Sequence, residues 1–268
     1  HRFYDPQDPA DLKAQITPAT RLVWLEAPGS ITLEYPDLPA LTAVVREANV
    51  GRERPVITAL DNTWGAGIAF NGFDLGADVV MQALTKYPSG GADLLMGSVV
   101  TRDSTLHQQL LLTHMRLGLG VGANDVELVL RSLPTIALRY HAHDAAARRL
   151  AAWLGTQPAV RRVLHPALPS GPGHAHWARH CTAAAGLFSV LLDPALTRAQ
   201  VDAFVDALRL FRIGYSWGGP VSLVVPYELP AMRDDVGELQ GHLVRFSIGL
   251  EAVEALQADL AQALRPLR

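Results

Sequence analysis

Short apolar runs alternate with stretches of helical spacing over the first hundred residues. Residues 21–26 form a compact apolar run that closes at Ala27-Pro28-Gly29-Ser30, which predicts a strand running into a loop. A short polar helix over 8–19 precedes it. Residues 39–48 carry Leu41, Val44 and Val45 on one helical face. A second apolar run, 55–60, ends at Asp61-Asn62-Thr63-Trp64. A third, 78–84, delivers Lys86 into the turn Tyr87-Pro88-Ser89-Gly90-Gly91, and 94–101 is a further strand candidate. Strand, helix and strand in alternation predict an α/β fold with a mainly parallel sheet. Ligands of such sheets gather at the carboxyl ends of the strands, and Glu26, Asp61 and Lys86 all stand at such ends.

The later pattern differs. Residues 106–117 and 125–154 read as helices, the second interrupted at Pro134. Residues 145–154 are strongly helix-forming, with Arg148 and Arg149 assigned to the wet face. Beyond Gly155, strands are predicted over 160–164, 186–192 and 243–248, and amphipathic helices over 197–208 and 251–264. Asp193-Pro194 and residues 226–230 carry loop signals. Interleaved strands and helices on this scale predict a smaller α+β domain. The expected division is 1–133 and 134–268, joined through the long helical stretch.

Composition narrows the class. With 268 residues, 49% of them hydrophobic and 18% charged, the chain can bury a large core. A net charge of −3 gives no electrostatic reason to expect nucleic acid or an anionic membrane as partner. No apolar run is long enough to span a bilayer. Cys181 is the single cysteine, which excludes an intrachain disulfide, fits a cytoplasmic setting and reads as a small buried apolar residue. The sequence begins at His1 without an initiator Met, as a processed chain or a fragment would.

Lys86 draws the chemistry. It is the only lysine after Lys13; arginine carries the basic charge elsewhere. A desolvated amine can lose its proton and form a Schiff base with a carbonyl, which a guanidinium cannot do. Alone, Lys86 also fits a side chain that snorkels from a strand end, and Asp61 alone also fits a helix cap. A lysine for Schiff-base attachment and a carboxylate for a pyridinium nitrogen are together the minimal protein equipment for pyridoxal phosphate.

Asp61-Asn62-Thr63-Trp64 and Thr85-Lys86-Tyr87-Pro88-Ser89-Gly90-Gly91-Ala92-Asp93 resemble the signature of the Cys/Met-metabolism family of pyridoxal phosphate enzymes. Further matches are residues 25–30, His165-Pro166-Ala167-Leu168-Pro169, Gly186-Leu187-Phe188-Ser189, Tyr215-Ser216-Trp217-Gly218-Gly219 and residues 245–251. The resemblance implies a fold-type-I large domain with a smaller C-terminal domain, and pyridoxal 5'-phosphate as cofactor. Lys86 matches the lysine that binds the cofactor covalently and later moves a proton. Asp61 matches the partner of the ring nitrogen. Thr85, and Ala83 through its backbone, match positions beside the cofactor phosphate. Arg245 matches the arginine that grips the substrate carboxylate. Ser216 and Trp217 match residues flanking the substrate, and Tyr215 stands where γ-eliminating members keep a glutamate.

That Tyr-Ser-Trp-Gly-Gly run points to the β-eliminating branch. The implied activity is α,β-elimination of L-cystathionine to homocysteine, pyruvate and ammonia, in trans-sulfuration and methionine biosynthesis. A homo-oligomer is implied, a tetramer built as a dimer of dimers. The alternatives are a related γ-lyase, γ-synthase or cysteine desulfhydrase, and a truncated, non-catalytic oligomerisation subunit. Two departures stand out. Gly91 and Ala92 replace a usual His-Ser, and the resemblance covers only about the last two thirds of the family pattern. The front would hold the phosphate-cradling glycine loop, a ring-stacking tyrosine and a Tyr-x-Arg pair, so a longer polypeptide is expected. Other constellations carry less. His174, His176 and His180 read as a solvated loop rather than a metal site, and His141 and His143, two apart on a helix, do not share a face.

Overall fold

A computed structural model describes residues 1–232, 237 and 239–267. Helix α1 spans Pro9–Gln15 and leads to strand β1, Leu22–Glu26. Val23 and Leu25 of β1 turn into the core while Leu22 and Trp24 remain exposed, the period-two alternation of a strand covered on one face. Helix α2, Leu38–Ala48, starts at Asp37, whose carboxylate accepts the Ala40 N–H at 3.1 Å, with proline in the first turn where no amide partner is needed. Its Leu38, Leu41 and Val45 are buried.

Strand β2 covers Ile57–Asp61, β3 Val79–Ala83 and β4 Gly97–Thr101. They form one sheet in the order β1-β2-β3-β4. The first three strands are parallel, with Glu26 in register with Asp61. Strand β4 runs antiparallel to β3, so the sheet is mixed.

Helix α3, Ser104–Arg116, and α4, Ala123–Ser132, follow. A 3₁₀ turn over Leu133–Thr135 then breaks the helical run before α5, Ile136–Leu154. The break lies at Pro134, as its missing N–H requires. Helix α5 buries Tyr140, His143, Ala147, Leu150, Ala151 and Leu154 along one stripe; His141 is exposed.

Strand β5 is Val160–Leu164, α6 His174–His180, β6 Leu187–Leu192 and α7 Arg198–Asp206. Strand β7 is Arg212–Ile213, β8 Leu223–Tyr227, β9 Leu243–Ser247, and α8 spans Val253–Ala263. The five strands form a second sheet, β5-β6-β9-β8-β7, antiparallel except for the β7–β8 pair. Helix α7 opens on a capping box between Thr197 and Gln200. Helices α5, α7 and α8 bury their apolar faces together with Phe188, Val190, Val224, Val244 and Phe246 of this sheet.

Three expectations are corrected. Residues 174–180 form a helix rather than a loop, because Trp177 is buried and donates its Nε1–H to Ala183 O at 3.0 Å; among the described residues no cluster suits a metal ion. Strand β8 contains Pro226, which the loop signal hid. Pro226 pairs with Val244 of β9, while β7 pairs only with Leu223 and Val224, so the missing N–H faces a free edge. Arg148 is not freely wet: it forks onto Asp144 at 2.7 and 3.1 Å and lies 5.0 Å over the Trp177 ring. Among the described residues, no helix is long and apolar enough to cross a membrane.

His165, fully buried after β5, makes stability depend on pH. Burial, reinforced by Arg148, pushes its pKa down to about 3, and its Nδ1 accepts the Ala167 N–H at 3.1 Å. A protonated ring could not accept that bond. Between pH 6.5 and about 3 the unfolded chain binds a proton that the folded chain refuses, so stability falls as pH drops through this window. Urea unfolding at pH 7 and pH 5 is expected to differ by about 2 kcal/mol through this group. His165→Asn should flatten that difference; an equally steep dependence in the variant would contradict the assignment.

Candidate active site

Lys86 follows the end of β3 by three residues, in a turn closed by its own backbone. Lys86 N donates to Ala83 O at 3.1 Å, Ser89 N to Leu84 O at 2.9 Å and Gly90 N to Lys86 O at 2.9 Å. A second loop, residues 215–219, lies directly on this turn. Gly218 allows the approach: its φ is +78°, and a Cβ there would sit 2.8 Å from Tyr87 N. The contact brings residues 130 apart in sequence together. Lys86 Nζ donates to Ser216 Oγ at 2.7 Å and lies 4.3 Å from the centre of the Trp217 ring.

Arg245 reaches the same ring from β9. Only 3% exposed, it donates from Nη1 to Ser30 O at 2.9 Å and from Nη2 to Tyr215 O at 2.6 Å. Its guanidinium lies 5.4 Å from the Trp217 ring centre and 5.3 Å from that of Tyr227. Two carbonyls and two rings thus fix the fork while leaving N–H groups for a ligand.

The charges act on one another. Burial lowers the Lys86 pKa and Arg245 lowers it further, against the opposing pull of Asp61. More of the amine is therefore neutral near neutral pH than in a free lysine. Burial also lowers the Arg245 pKa, with Tyr227 and Tyr215 opposing. The Glu26 carboxyl is raised, because surrounding protein withdraws water from it and Asp61 repels it, although the residue as a whole keeps solvent contact.

The remaining sequence candidates are distributed around this centre. Asp61 ends β2 beside the Lys86 strand, and its Oδ1 accepts the Thr63 N–H at 2.9 Å. The Thr85 hydroxyl donates to Met96 O at 3.3 Å and accepts Met96 N–H at 3.1 Å. Ala83 N–H is already donated to Thr63 Oγ1 at 2.9 Å, so any group approaching Ala83 also meets that hydroxyl. The Tyr215 side chain is 69% exposed, and its carbonyl rather than its ring holds Arg245. At the departure from the usual His-Ser, a Cβ on Gly91 would lie 2.7 Å from the Asp93 carboxylate, and Ala92 packs where a Cβ on Gly219 would fall, at 2.9 Å.

Sequence reading missed three participants. The Ser30 carbonyl acts through the backbone, Tyr227 lies in the stretch mistaken for a loop, and Thr63 sits inside the Asp61 motif without having been singled out. A strand-end loop following residues 21–26 was the available signal for Ser30.

The arrangement fits pyridoxal phosphate. An amine that loses its proton readily, a carboxylate on the adjacent strand end and a fixed guanidinium converge. Among the described residues, Trp217 Nε1 is moreover a buried N–H with no partner, a donor that an anionic group would satisfy. Lys86 would hold the carbonyl carbon, Asp61 the ring nitrogen, and Thr85 with the Ala83–Thr63 pair the phosphate end.

The comparisons agree with the cofactor. A family model described as Cys/Met metabolism PLP-dependent enzyme matches residues 1–265. The chain is 40% identical over 263 residues to the cystathionine β-lyase of Salmonella typhimurium, covering 97% of this chain and 65% of that protein. It is 42% identical over 265 residues to the cystathionine β-lyase of Bordetella avium, covering 98% and 64%. The cystathionine γ-lyase of Rattus norvegicus is 34% identical over 273 residues, covering 98% and 66%. The chain thus spans just under two thirds of the length of the first two relatives. These matches bear out the resemblance read from Asp61–Trp64 and Thr85–Asp93, and the chain belongs to the Cys/Met metabolism family of PLP-dependent enzymes.

Proposed function

We propose that this chain carries the active site of a carbon–sulfur β-lyase that cleaves L-cystathionine with water to homocysteine, pyruvate and ammonia. The observation that carries the reading is the meeting of Lys86 Nζ with Ser216 and Trp217 beside the fixed fork of Arg245. When bound, pyridoxal phosphate supplies a sink for the electron pair left by a broken Cα–H bond. Arg245 clamps the substrate carboxylate with its free N–H groups. Lys86 Nζ, neutral at lower pH than an ordinary lysine, takes the Cα proton as general base. Ser216 Oγ, 2.7 Å away, holds that amine between transfers. Asp61 keeps its partner nitrogen protonated, and the Lys86 ammonium then lies within reach of the departing thiolate.

The same reading takes the first sheet as part of a fold-type-I cofactor domain, 1–133, and residues 134–268 as the smaller C-terminal domain; the two separate sheets support it. It places the protein in the cytoplasm, in keeping with the single Cys181. It also takes the protein as a homo-oligomer, a dimer of dimers. Support comes from the exposed apolar side chains of α3 and α4: Leu111, Leu112, Met115, Leu128 and Leu130.

A second reading, γ-elimination, is favoured by the likeness to a cystathionine γ-lyase. Keto-acid analysis of purified protein supplied with cystathionine separates the two. Pyruvate is expected; 2-oxobutyrate would move the assignment to γ-chemistry. Neither product, with no pyridoxyl adduct after borohydride, would favour a non-catalytic oligomerisation subunit.

A further inference from the structure

Tyr87, the residue after the reactive amine, is held at both ends. Its hydroxyl accepts the Gly186 N–H at 2.9 Å, and its ring packs on Tyr140 with centres 4.8 Å apart. Its carbonyl needs a separate partner. The carbonyls of Ala83, Leu84, Thr85 and Lys86 are all satisfied inside the turn, but those of Tyr87 and Pro88 are left over at its end, like the last carbonyls of a helix.

Arg139 fills that gap. Its Nη1 donates to Tyr87 O at 2.7 Å, and Nη2 reaches Pro88 O at 3.5 Å, the outer limit of hydrogen bonding. The guanidinium is itself anchored: Nε donates to Thr135 Oγ1 at 3.1 Å, and Nη2 to Ser132 O at 3.1 Å and Ser132 Oγ at 2.8 Å. Those anchors come from the break between α4 and α5. Gly90 completes the fit. Its φ is +64°, and a Cβ there would fall 2.1 Å from Arg139 Nη1, so the guanidinium occupies the space of an absent side chain.

We infer that Arg139 is a positioning residue for Lys86: its fork ties the interrupted helix to the Lys86 turn and fixes where the amine points. The inference rests on the reading of Lys86 as the reactive amine. A lysine could supply the charge but not a fork bonded to Tyr87 O, Ser132 and Thr135 at once. With the fork gone, the turn relaxes toward solvent and the amine regains ordinary basicity.

The chain suits a direct test because it has just two lysines. Hydroxylamine followed by desalting first frees Lys86 of any bound aldehyde; formaldehyde with cyanoborohydride then labels neutral amines, and peptide mapping across pH gives separate curves for Lys86 and for the exposed Lys13, an internal control. In the unaltered protein, the Lys86 midpoint is expected below that of Lys13. Arg139→Lys keeps the positive charge, so a purely Coulombic role would leave the Lys86 curve in place. The positioning role predicts an upward shift of about one pH unit, with labelling near neutral pH falling roughly tenfold and Lys13 unchanged. Thr135→Val, at an exposed position, removes the Nε anchor together with the Thr135 hydroxyl's own bond to Ser132 O at 3.0 Å, and should give a roughly threefold fall; it carries the test if Arg139→Lys does not fold. A folded Arg139→Lys protein with an unshifted Lys86 curve overturns the inference alone. A Lys86 midpoint no lower than that of Lys13 in the unaltered protein overturns both it and the reading of Lys86.

Discussion

Lys86→Ala is expected to lower pyruvate release from cystathionine by roughly 10³-fold, because one substitution removes both the covalent anchor and the general base. Ser216 and Trp217 would remain, so substrate could still dock against Arg245. The loss should therefore fall on kcat more than on KM. Peptide mapping after borohydride reduction gives an independent readout. In the unaltered protein the pyridoxyl group is expected on the peptide containing Lys86 and not on that of Lys13, which is exposed and paired with Glu47. Lys86→Ala should carry no adduct. Turnover by that variant at the unaltered rate would remove the proposed mechanism outright.

Arg245→Lys is the second large effect. Lysine keeps a charge but cannot bond Ser30 O, Tyr215 O and a substrate carboxylate at the same time. Losing two charge-assisted bonds to a carboxylate corresponds to roughly 3 kcal/mol, or a fall of about 10²-fold in kcat/KM. The contact is made equally to substrate and transition state, so KM should rise while kcat changes little. Steady-state kinetics with cystathionine checks this. An unchanged KM would mean that the carboxylate binds elsewhere.

The readable parts of the fold were those written in local periodicity. Strands β1, β2, β3, β5, β6 and β9 and helices α2, α3, α5, α7 and α8 follow from alternating or helical spacing, and Pro134 marks the break before α5. Asp61 and Lys86 were legible because each ends an apolar run. Arg245, Ser216 and Trp217 were not: their roles depend on loops meeting across 130 or more residues, and only the family resemblance singled them out. Strand β7 is two residues long, too short for any period to register. Arg139 was hidden because its partners in the Lys86 turn are backbone carbonyls, which a sequence does not distinguish. The interrupted parallel order was equally hidden, since strand direction is not encoded in alternation and β4 could have run either way.

Helix α3 has 13 residues and buries none of them. Within one protomer its amides are therefore guarded mainly by local helix propensity, worth tenths of a kcal/mol per residue, and by the Asp103 cap on Leu106 N–H at 2.6 Å, and isolated helices of about this length are marginal in water. Helix α5 locks its stripe into both apolar clusters. In a protomer separated from the proposed oligomer, hydrogen exchange would thus see two regimes in neighbouring helices: α3 opening and closing by itself at little cost, and the buried face of α5 released only with global unfolding. Cooperative melting of this chain consequently reports its two cores, and a helix can come and go without leaving a trace in the transition.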